Sequence, residues 1–199
     1  MATDSQTAPD AGQTSIADNL ATVRQRITAA VQAAGRSTDA VTLVAENPNE
    51  ITTEGGLNVK TNIAIVRATV SKLRLGNILA SLFIDPDAEQ IEAAHDVGAQ
   101  QVELCTAAYA EATLGARGIH GEGAAHAAHE LRRLRDAAEL AMQYGLNVAA
   151  GHGLTYRNVG AVAEIKQITE FNIGHNIVAR AVFVGLGNAV KEMIRVIRG

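Results

Sequence analysis

The chain has 199 residues, of which 47% are hydrophobic, with 17 Lys and Arg against 21 Asp and Glu. This length predicts one domain with a substantial core. The net charge of −4 argues against a nucleic-acid-binding or anionic-membrane surface, because both need a basic footprint. The single cysteine cannot form an internal disulfide, and we find neither a signal-peptide pattern nor an apolar run of the roughly 18 residues that a membrane span needs. We therefore expect a cytoplasmic protein.

The sequence pattern changes near residue 15, from small polar residues without periodicity to a helical pattern of apolar residues. Residues 1–14 are small and polar and lack periodicity, which predicts a disordered tail. Ser15 is typical of a helix N-cap, and Gly35 of the residue that follows a helix. Apolar residues between them recur at spacings of three and four, which predicts one amphipathic helix: Leu20, Val23, Ile27, Val31 and Ala34.

From residue 41 onward, short apolar runs alternate with helical patterns. The predicted strands are Val41–Val44, Leu79–Ile84, Gln101–Cys105, Leu146–Ala150 and Ile168–Ile173. The predicted helices are Lys60–Leu75, Asp87–Val97, Ala124–Tyr144, Asn158–Ile165 and a final helix from Ile177 to Ile197. Asp85-Pro86 is typical of a cap followed by proline at the first helical position. The alternation predicts an α/β fold with a parallel sheet, but five strands fall short of the eight in a closed (β/α)₈ barrel.

The unusual residues follow the predicted strands, where parallel α/β folds place their sites. His152 stands between two glycines after the fourth strand, and histidine is the natural proton carrier near neutral pH. Gly174-His175 opens the last helix, where free N–H groups attract phosphate. The competing interpretation is that both histidines belong to the core. Glu103 lies within an apolar strand, where a carboxylate must be paired or used, so either an ion pair or a catalytic role explains it.

Other polar residues have simpler interpretations. Residues 46–56 form a polar loop that can hydrogen-bond a sugar-like ligand or can be an ordinary surface loop. Cys105 is typical of a small buried apolar residue rather than a nucleophile. His126 and His129 have metal-ligand spacing, but we interpret them as part of a solvated helix face and expect no metal site. Leu131, Leu134, Ala138 and Met142 are expected to form the buried stripe of that helix.

Taken together, these stretches resemble the pyridoxine 5′-phosphate synthase family of vitamin B6 biosynthesis. The matching segments are VTLV, EITTEGGLNV, SLFIDPD, VGAQQVEL, AGHGLTYRNV and EFNIGHNIVARAVF, in the order of the family and over about residues 41–199. The resemblance implies a (β/α)₈ barrel, of which these segments correspond to strands four to eight. It also implies condensation of 3-amino-2-oxopropyl phosphate with 1-deoxy-D-xylulose 5-phosphate, without a cofactor.

The resemblance also assigns roles to individual residues. It implies that His152 donates a proton and that Glu103 stabilises the transition state. Thr52 is implied to contact the deoxyxylulose phosphate, whereas Gly153, Gly174 and His175 are implied to hold the amino ketone phosphate. The family's Asn-x-Asp-His motif, its basic pair and its second glutamate base have no counterpart in this sequence.

Residues 16–45 are instead similar to the N-terminus of the pyridoxal phosphate homeostasis protein, but the Schiff-base lysine of that family is not matched here. We expect a tail at residues 1–14 and one barrel-like domain at residues 15–199, of which 15–45 form the N-terminal helix and first strand and 46–199 the synthase-like part.

The leading hypothesis is a pyridoxine 5′-phosphate synthase-like transferase. The alternatives are a non-catalytic protein that binds phosphate or a B6 vitamer, and a recombined barrel fragment. Because five strands cannot close a barrel, we expect an open barrel or one completed in a homo-oligomer.

Overall fold

The computed structural model describes residues 55–115 and 122–199, together with Gln25 and the two residues of the first strand. The chain divides into two compact units, Met1–Thr42 and Leu43–Gly199, and the second is described below. Of the predicted first helix only Gln25 is described, and it is helical. The tail, the remainder of that helix and most of the polar loop lie outside the described residues, so the predicted domain boundaries stay predictions.

Strands and helices alternate through the second unit. The strands are β1 (Val44–Ala45), β2 (Ser81–Ile84), β3 (Gln101–Cys105), β4 (Asn147–Gly151) and β5 (Glu170–Asn172). A 3₁₀ turn at Lys60–Asn62 leads into the first of the helices α1 (Ile63–Leu75), α2 (Ala88–Asp96), α3 (Ala107–Gly115), α4 (Glu122–Gln143), α5 (Val159–Ala163), α6 (His175–Val184) and α7 (Leu186–Arg198). None of the helices in the described ranges is both long and apolar enough to cross a membrane.

The five strands form one parallel sheet in the order β1-β2-β3-β4-β5. Each strand therefore pairs with the next one along the chain, which is the connectivity of consecutive units of a βα barrel. The predicted α/β class with parallel strands is confirmed. All carboxyl ends of the strands lie at the same edge of the sheet, so the segments that follow β2, β3, β4 and β5 meet there.

The register divides the sheet into an apolar face and a second, partly polar face. Leu82, Val102 and Val148 are aligned on neighbouring strands and belong to the main core, which also contains buried residues of the helices. The alternate positions define the second face, which carries Ser81, Phe83, Gln101, Glu103, Cys105, Ala149, Gly151, Glu170 and Asn172. Burial of the apolar face under helices stabilises the fold, whereas the second face is where polar groups can be gathered.

In α4 the apolar pattern of the sequence predicts some of the buried residues correctly and one of them wrongly. Leu134 and Ala138 are fully buried as predicted, whereas Met142 is 57% exposed and Ala141 is buried in its place. The prediction for Met142 is wrong because the buried stripe continues from Ala138 to Ala141, three residues later, and Met142 lies beside it. Gly145 follows the helix with a φ of +73°, a left-handed conformation typical of the glycine that ends a helix.

Two helix boundaries and one whole helix differ from the sequence predictions. The N-cap of α2 is Asp87 rather than Asp85, because Asp87 has the extended backbone of a cap and the helix begins at the next residue. The predicted final helix is two helices, since Gly185 has φ +79° and ψ 150°, a region that only glycine adopts without strain. Helix α3 was not predicted, because its apolar residues are spread around the helix and show no amphipathic periodicity.

Candidate active site

Glu103 lies on the second face of the sheet and is only 7% exposed. The Asn172 Nδ2 donates a hydrogen bond to Glu103 Oε2 across β4, at 2.7 Å. Burying a carboxylate in a sheet costs free energy unless its oxygens accept hydrogen bonds, and the Asn172 amide supplies one such bond. This bond comes from an amide on β5, two strands away, and the two explanations that the sequence left open, an ion pair and a catalytic role, stay predictions.

Gly151 makes this contact across β4 possible. A Cβ atom at Gly151 would overlap Glu103 Oε1 and would also lie 3.1 Å from the Asn172 carbonyl oxygen. Because glycine has no side chain, the carboxylate can lie over the backbone of β4 and reach the amide on β5. The site thus uses one residue from each of three consecutive strands.

The turn after β4 holds its histidine in an unusual conformation. His152 has a φ of +80°, which is uncommon for a residue with a side chain and indicates a functional constraint. Thr106, which is fully buried after β3, stabilises the turn: its Oγ1 lies 2.8 Å from the Gly151 carbonyl oxygen and 2.5 Å from that of His152. Its own N–H donates to the Gly151 carbonyl oxygen at 2.8 Å. The hydroxyl and amide of one residue therefore fix the start of the turn.

The His152 ring lies at the second face. Its centroid is 6.2 Å from that of Phe83, and Phe83 is paired with Glu103 in the register of β2 and β3. His152 and Glu103 are thus on the same side of the sheet and near a common neighbour. The His152 side chain is partly buried and that of His175 is exposed, so neither histidine belongs to the core.

Gly153 continues the left-handed turn, with a φ of +76°. A Cβ atom here would lie 2.6 Å from the Cβ atom of Ala110 on α3, so a side chain would push the turn away from the helix. The glycine is therefore needed for both its conformation and its close approach. It places a backbone segment without side-chain cover at the carboxyl edge of the sheet.

Gly174 and His175 begin α6 two residues after β5 ends. Gly174 is the N-cap and makes no side-chain cap hydrogen bond, so the first N–H groups of the helix point outward without a cap. The Asn176 Oδ1 accepts a hydrogen bond from the Tyr156 N–H at 3.2 Å, which ties the start of α6 to the segment that follows β4. The two Gly-His turns are thus connected, as a shared site requires.

Thr52 lies outside the described residues, but the end of its loop does not. Gly56 packs so closely on β2 that a Cβ atom would overlap the backbone of Ile84 and Asp85. Its N–H donates to Asp85 Oδ1 at 3.1 Å, and the Leu57 N–H donates to the Phe83 carbonyl oxygen at 2.7 Å. The polar loop therefore ends at the carboxyl edge of β2, next to the strand that carries Glu103.

Two further groups behave as the sequence indicates. The side chains of His126 and His129 are more than half exposed on α4, which confirms their interpretation as a solvated face. Within the described ranges no group of three metal-ligating side chains comes together.

Cys105 is buried at the end of β3, and this burial, together with the carboxylates of Asp85 and Glu103, raises the pKa of its thiol to about 11. It is therefore a protonated thiol at neutral pH and a poor nucleophile.

Sequence reasoning missed the residues that support the site: Asp85, Thr106, Gly151 and Asn172. Asn172 was detectable in principle, because it is a polar residue at the end of a predicted strand and alternates onto the same face as Glu170. Thr106 directly follows a strand, which is where parallel sheets gather functional residues. The role of Gly151 was not detectable, since it depends on which strand lies next to Glu103 and in what register.

The shifted Cys105 pKa predicts an alkaline loss of stability. The native thiol holds its proton more tightly than the unfolded chain, so its contribution is complete below pH 9.0 and is lost as the pH rises towards about 11. We expect this loss to reach at most about 2–3 kcal/mol. Urea unfolding near pH 8 and about pH 10.5 measures it, and Cys105→Ala should lack this component. Equal pH dependence in the two proteins would contradict the assignment.

Comparisons with known proteins place this chain in a family. The family model described as "Pyridoxal phosphate biosynthesis protein PdxJ" matches residues 15–199. This match includes residues 16–45, whose similarity to the pyridoxal phosphate homeostasis protein stays a prediction. Among solved structures, the Amycolatopsis orientalis BexX/CysO complex aligns with 72% of this chain and 53% of that chain, at 16% identity and a TM-score of 0.42.

Curated relatives match at much higher identity. A pyridoxine 5′-phosphate synthase of Synechococcus is 52% identical over 155 residues, which are 78% of this chain and 61% of that protein. Those of Sulfurihydrogenibium and Syntrophotalea carbinolica are each 48% identical, over 79% and 81% of this chain and 60% and 64% of theirs. This chain thus spans less than two thirds of the length of these relatives. The predicted family is confirmed: the chain belongs to the PdxJ family of vitamin B6 biosynthesis, whose fold is a βα barrel.

Proposed function

We propose that this chain carries the proton-donating and phosphate-binding part of a pyridoxine 5′-phosphate synthase site. The reaction would be the condensation of 3-amino-2-oxopropyl phosphate with 1-deoxy-D-xylulose 5-phosphate. The observation that carries the proposal is the buried Glu103 carboxylate, held by Asn172 over Gly151, with the His152 ring on the same side of the sheet. The names of the curated relatives agree with it.

In this proposal His152 and Glu103 divide the chemistry between them. An imidazolium at His152 gives its proton to the oxygen of a leaving hydroxyl or phosphate, so that the C–O bond breaks without forming a strongly basic anion. The negative charge of Glu103 stabilises the positive charge that develops in the transition state. Thr106 supports this role because it fixes the turn from which the ring projects.

The phosphate groups are assigned to backbone-rich segments. Gly153, Gly174 and His175 bind the amino ketone phosphate, since the uncapped start of α6 offers N–H groups to an anion. Thr52 contacts the deoxyxylulose phosphate from the loop that ends at Gly56. The reaction uses no cofactor, and the enzyme is a cytoplasmic transferase.

Substitution of either catalytic residue should reduce turnover far more than stability. His152→Asn and Glu103→Gln should each lower formation of pyridoxine 5′-phosphate by at least about 10²-fold, because proton transfer or charge stabilisation is lost. Mass detection of the product from both substrates measures this, and thermal melts report folding. His129→Asn is the matched control, since that imidazole is exposed on α4 and should leave turnover unchanged. Full turnover in a folded His152→Asn variant would refute its catalytic role.

A second candidate function is phosphate or B6-vitamer binding without catalysis. The uncapped, exposed N-terminus of α6 favours it, because anion binding there needs no residue beyond this segment. This candidate differs from the first in one respect: ligands bind but no product forms.

Both candidates predict the same effect of a side chain at Gly174. Gly174→Val should weaken binding of inorganic phosphate at least about tenfold, because its methyl groups would cover the N–H groups at the helix start. Gly187→Val, in the first turn of α7 and with open space around it, is the control and should bind normally. Isothermal titration calorimetry compares the three proteins. Equal affinities in all of them would place the phosphate elsewhere.

We also propose that the chain forms a homo-oligomer. In the described sheet β1 and β5 are edge strands, and α6 and α7 expose large apolar side chains, namely Val178, Val182, Phe183, Leu186, Val190 and Ile194. Exposed apolar surface of this extent is typical of an interface, and a second copy of the chain would cover it. Light scattering at micromolar concentration tests this, and a 20.8 kDa monomer would contradict it.

A further inference from the structure

We propose that Asn158 is a positioning residue for the left-handed turn at His152, because it connects the segment that follows this turn to helix α3. The inference rests on the proposed function only for what His152 does in the reaction. The connection itself rests on hydrogen bonds between described residues. The sequence assigned Asn158 no role beyond the start of a predicted helix.

The side chain of Asn158 points away from the helix that it begins. Asn158 is the N-cap of α5, where an asparagine oxygen ordinarily accepts an N–H of the first helical turn, but its side chain makes no cap hydrogen bond. Its Oδ1 instead accepts the Thr155 N–H at 2.7 Å and lies 3.0 Å from Thr155 Oγ1. The residue is only 7% exposed. The side chain therefore serves the segment before α5 rather than the helix itself.

Two hydrogen bonds join Asn158 to α3. Its Nδ2 donates to Thr113 Oγ1 at 3.2 Å, and its carbonyl oxygen accepts the hydroxyl of the buried Tyr109 at 2.9 Å. Breaking such a bond away from water leaves an unsatisfied polar group, so the connection is costly to lose. One asparagine thus connects Thr155 with α3, the helix that follows the strand of Glu103.

The contact at Thr155 completes the support of the His152 turn. Thr106 holds the start of this turn, and Thr155 lies three residues after His152. Between them, Gly153 packs closely on α3 and Leu154 is buried. A left-handed residue with a side chain keeps its conformation only where the surrounding structure determines it. With both ends held, the turn presents the imidazole from one fixed backbone position.

Hydrogen exchange at the Thr155 amide tests the connection. In Asn158→Ala this amide should exchange about tenfold faster, because it loses its acceptor. Asn158→Asp keeps an oxygen at the Oδ1 position and should retain most of the protection. Asn188→Ala is the control, since the Asn188 amide donates to the Val184 carbonyl oxygen on the other side of Gly185. Unchanged exchange at Thr155 in a folded Asn158→Ala variant would overturn the proposal.

A second variant removes the link to α3 and leaves the Asn158 side chain in place. Tyr109→Phe deletes the hydroxyl that binds the Asn158 carbonyl oxygen and keeps the aromatic ring. Because Asn158 is then held less firmly, the Thr155 amide should exchange about threefold faster. This variant decides the question if Asn158→Ala does not fold: exchange at Thr155 that equals that of the unaltered protein would then overturn the proposal.

Turnover tests the functional part. Asn158→Ala should lower kcat for pyridoxine 5′-phosphate formation about tenfold, because a displaced His152 ring is no longer aligned for proton transfer. Asn158→Asp should stay within about twofold of the unaltered protein. A merely structural role would lower the melting temperature of Asn158→Ala and leave the kcat of the folded variant unchanged, and that result would overturn the positioning role. If the unaltered protein formed no product, the proposed function would fail, whereas the exchange experiment would still decide whether Asn158 connects the turn to α3.

Discussion

A carboxylate buried inside a parallel sheet is the constraint on which the rest of the site depends. Removing a carboxylate such as Glu103 from water costs several kcal/mol, which only well-placed hydrogen bonds and charges can offset. Here Gly151 on the adjacent strand β4 leaves room for the carboxylate, and the next strand contributes the Asn172 amide. This arrangement requires a glycine at residue 151, a polar residue at 172, and the register that aligns them. The polar second face follows from that requirement.

The same strand end carries the second constraint, the left-handed turn at His152 and Gly153. Holding a residue with a side chain at φ +80° costs of order 1–3 kcal/mol, so the surrounding structure must stabilise it. Thr106 does so from the end of the strand that bears Glu103, and the close approach of Gly153 to Ala110 fixes the other side. Each of these supports belongs to β3 or to the helix after it. The βα unit that carries Glu103 therefore also fixes the turn that carries the His152 imidazole.

The amino-acid sequence predicts more of the chemistry than of its support. The arrangement of apolar residues along the chain was sufficient to find β2 to β5 and most helices, because buried strands and amphipathic helices differ in their hydrophobic periodicity. It also singled out Glu103, His152 and Gly174, since a charge in a strand and Gly-His turns are rare outside sites. It could not detect α3, whose apolar residues show no helical periodicity, or the break at Gly185, which depends on a conformation rather than a composition. Nor could it reveal Gly151 or Asp85 as supports, since their roles arise from contacts between distant segments.

The central claim is that Glu103 and Asn172 interact directly across Gly151, and a double-mutant cycle tests it most directly. Glu103→Ala, Asn172→Ala and the double variant are compared by urea unfolding near pH 7. A hydrogen bond to a buried charged group should give a coupling free energy of about 1.5–3 kcal/mol. If the two substitutions were additive to within about 0.5 kcal/mol, the contact on which this account of the site depends would not exist in solution.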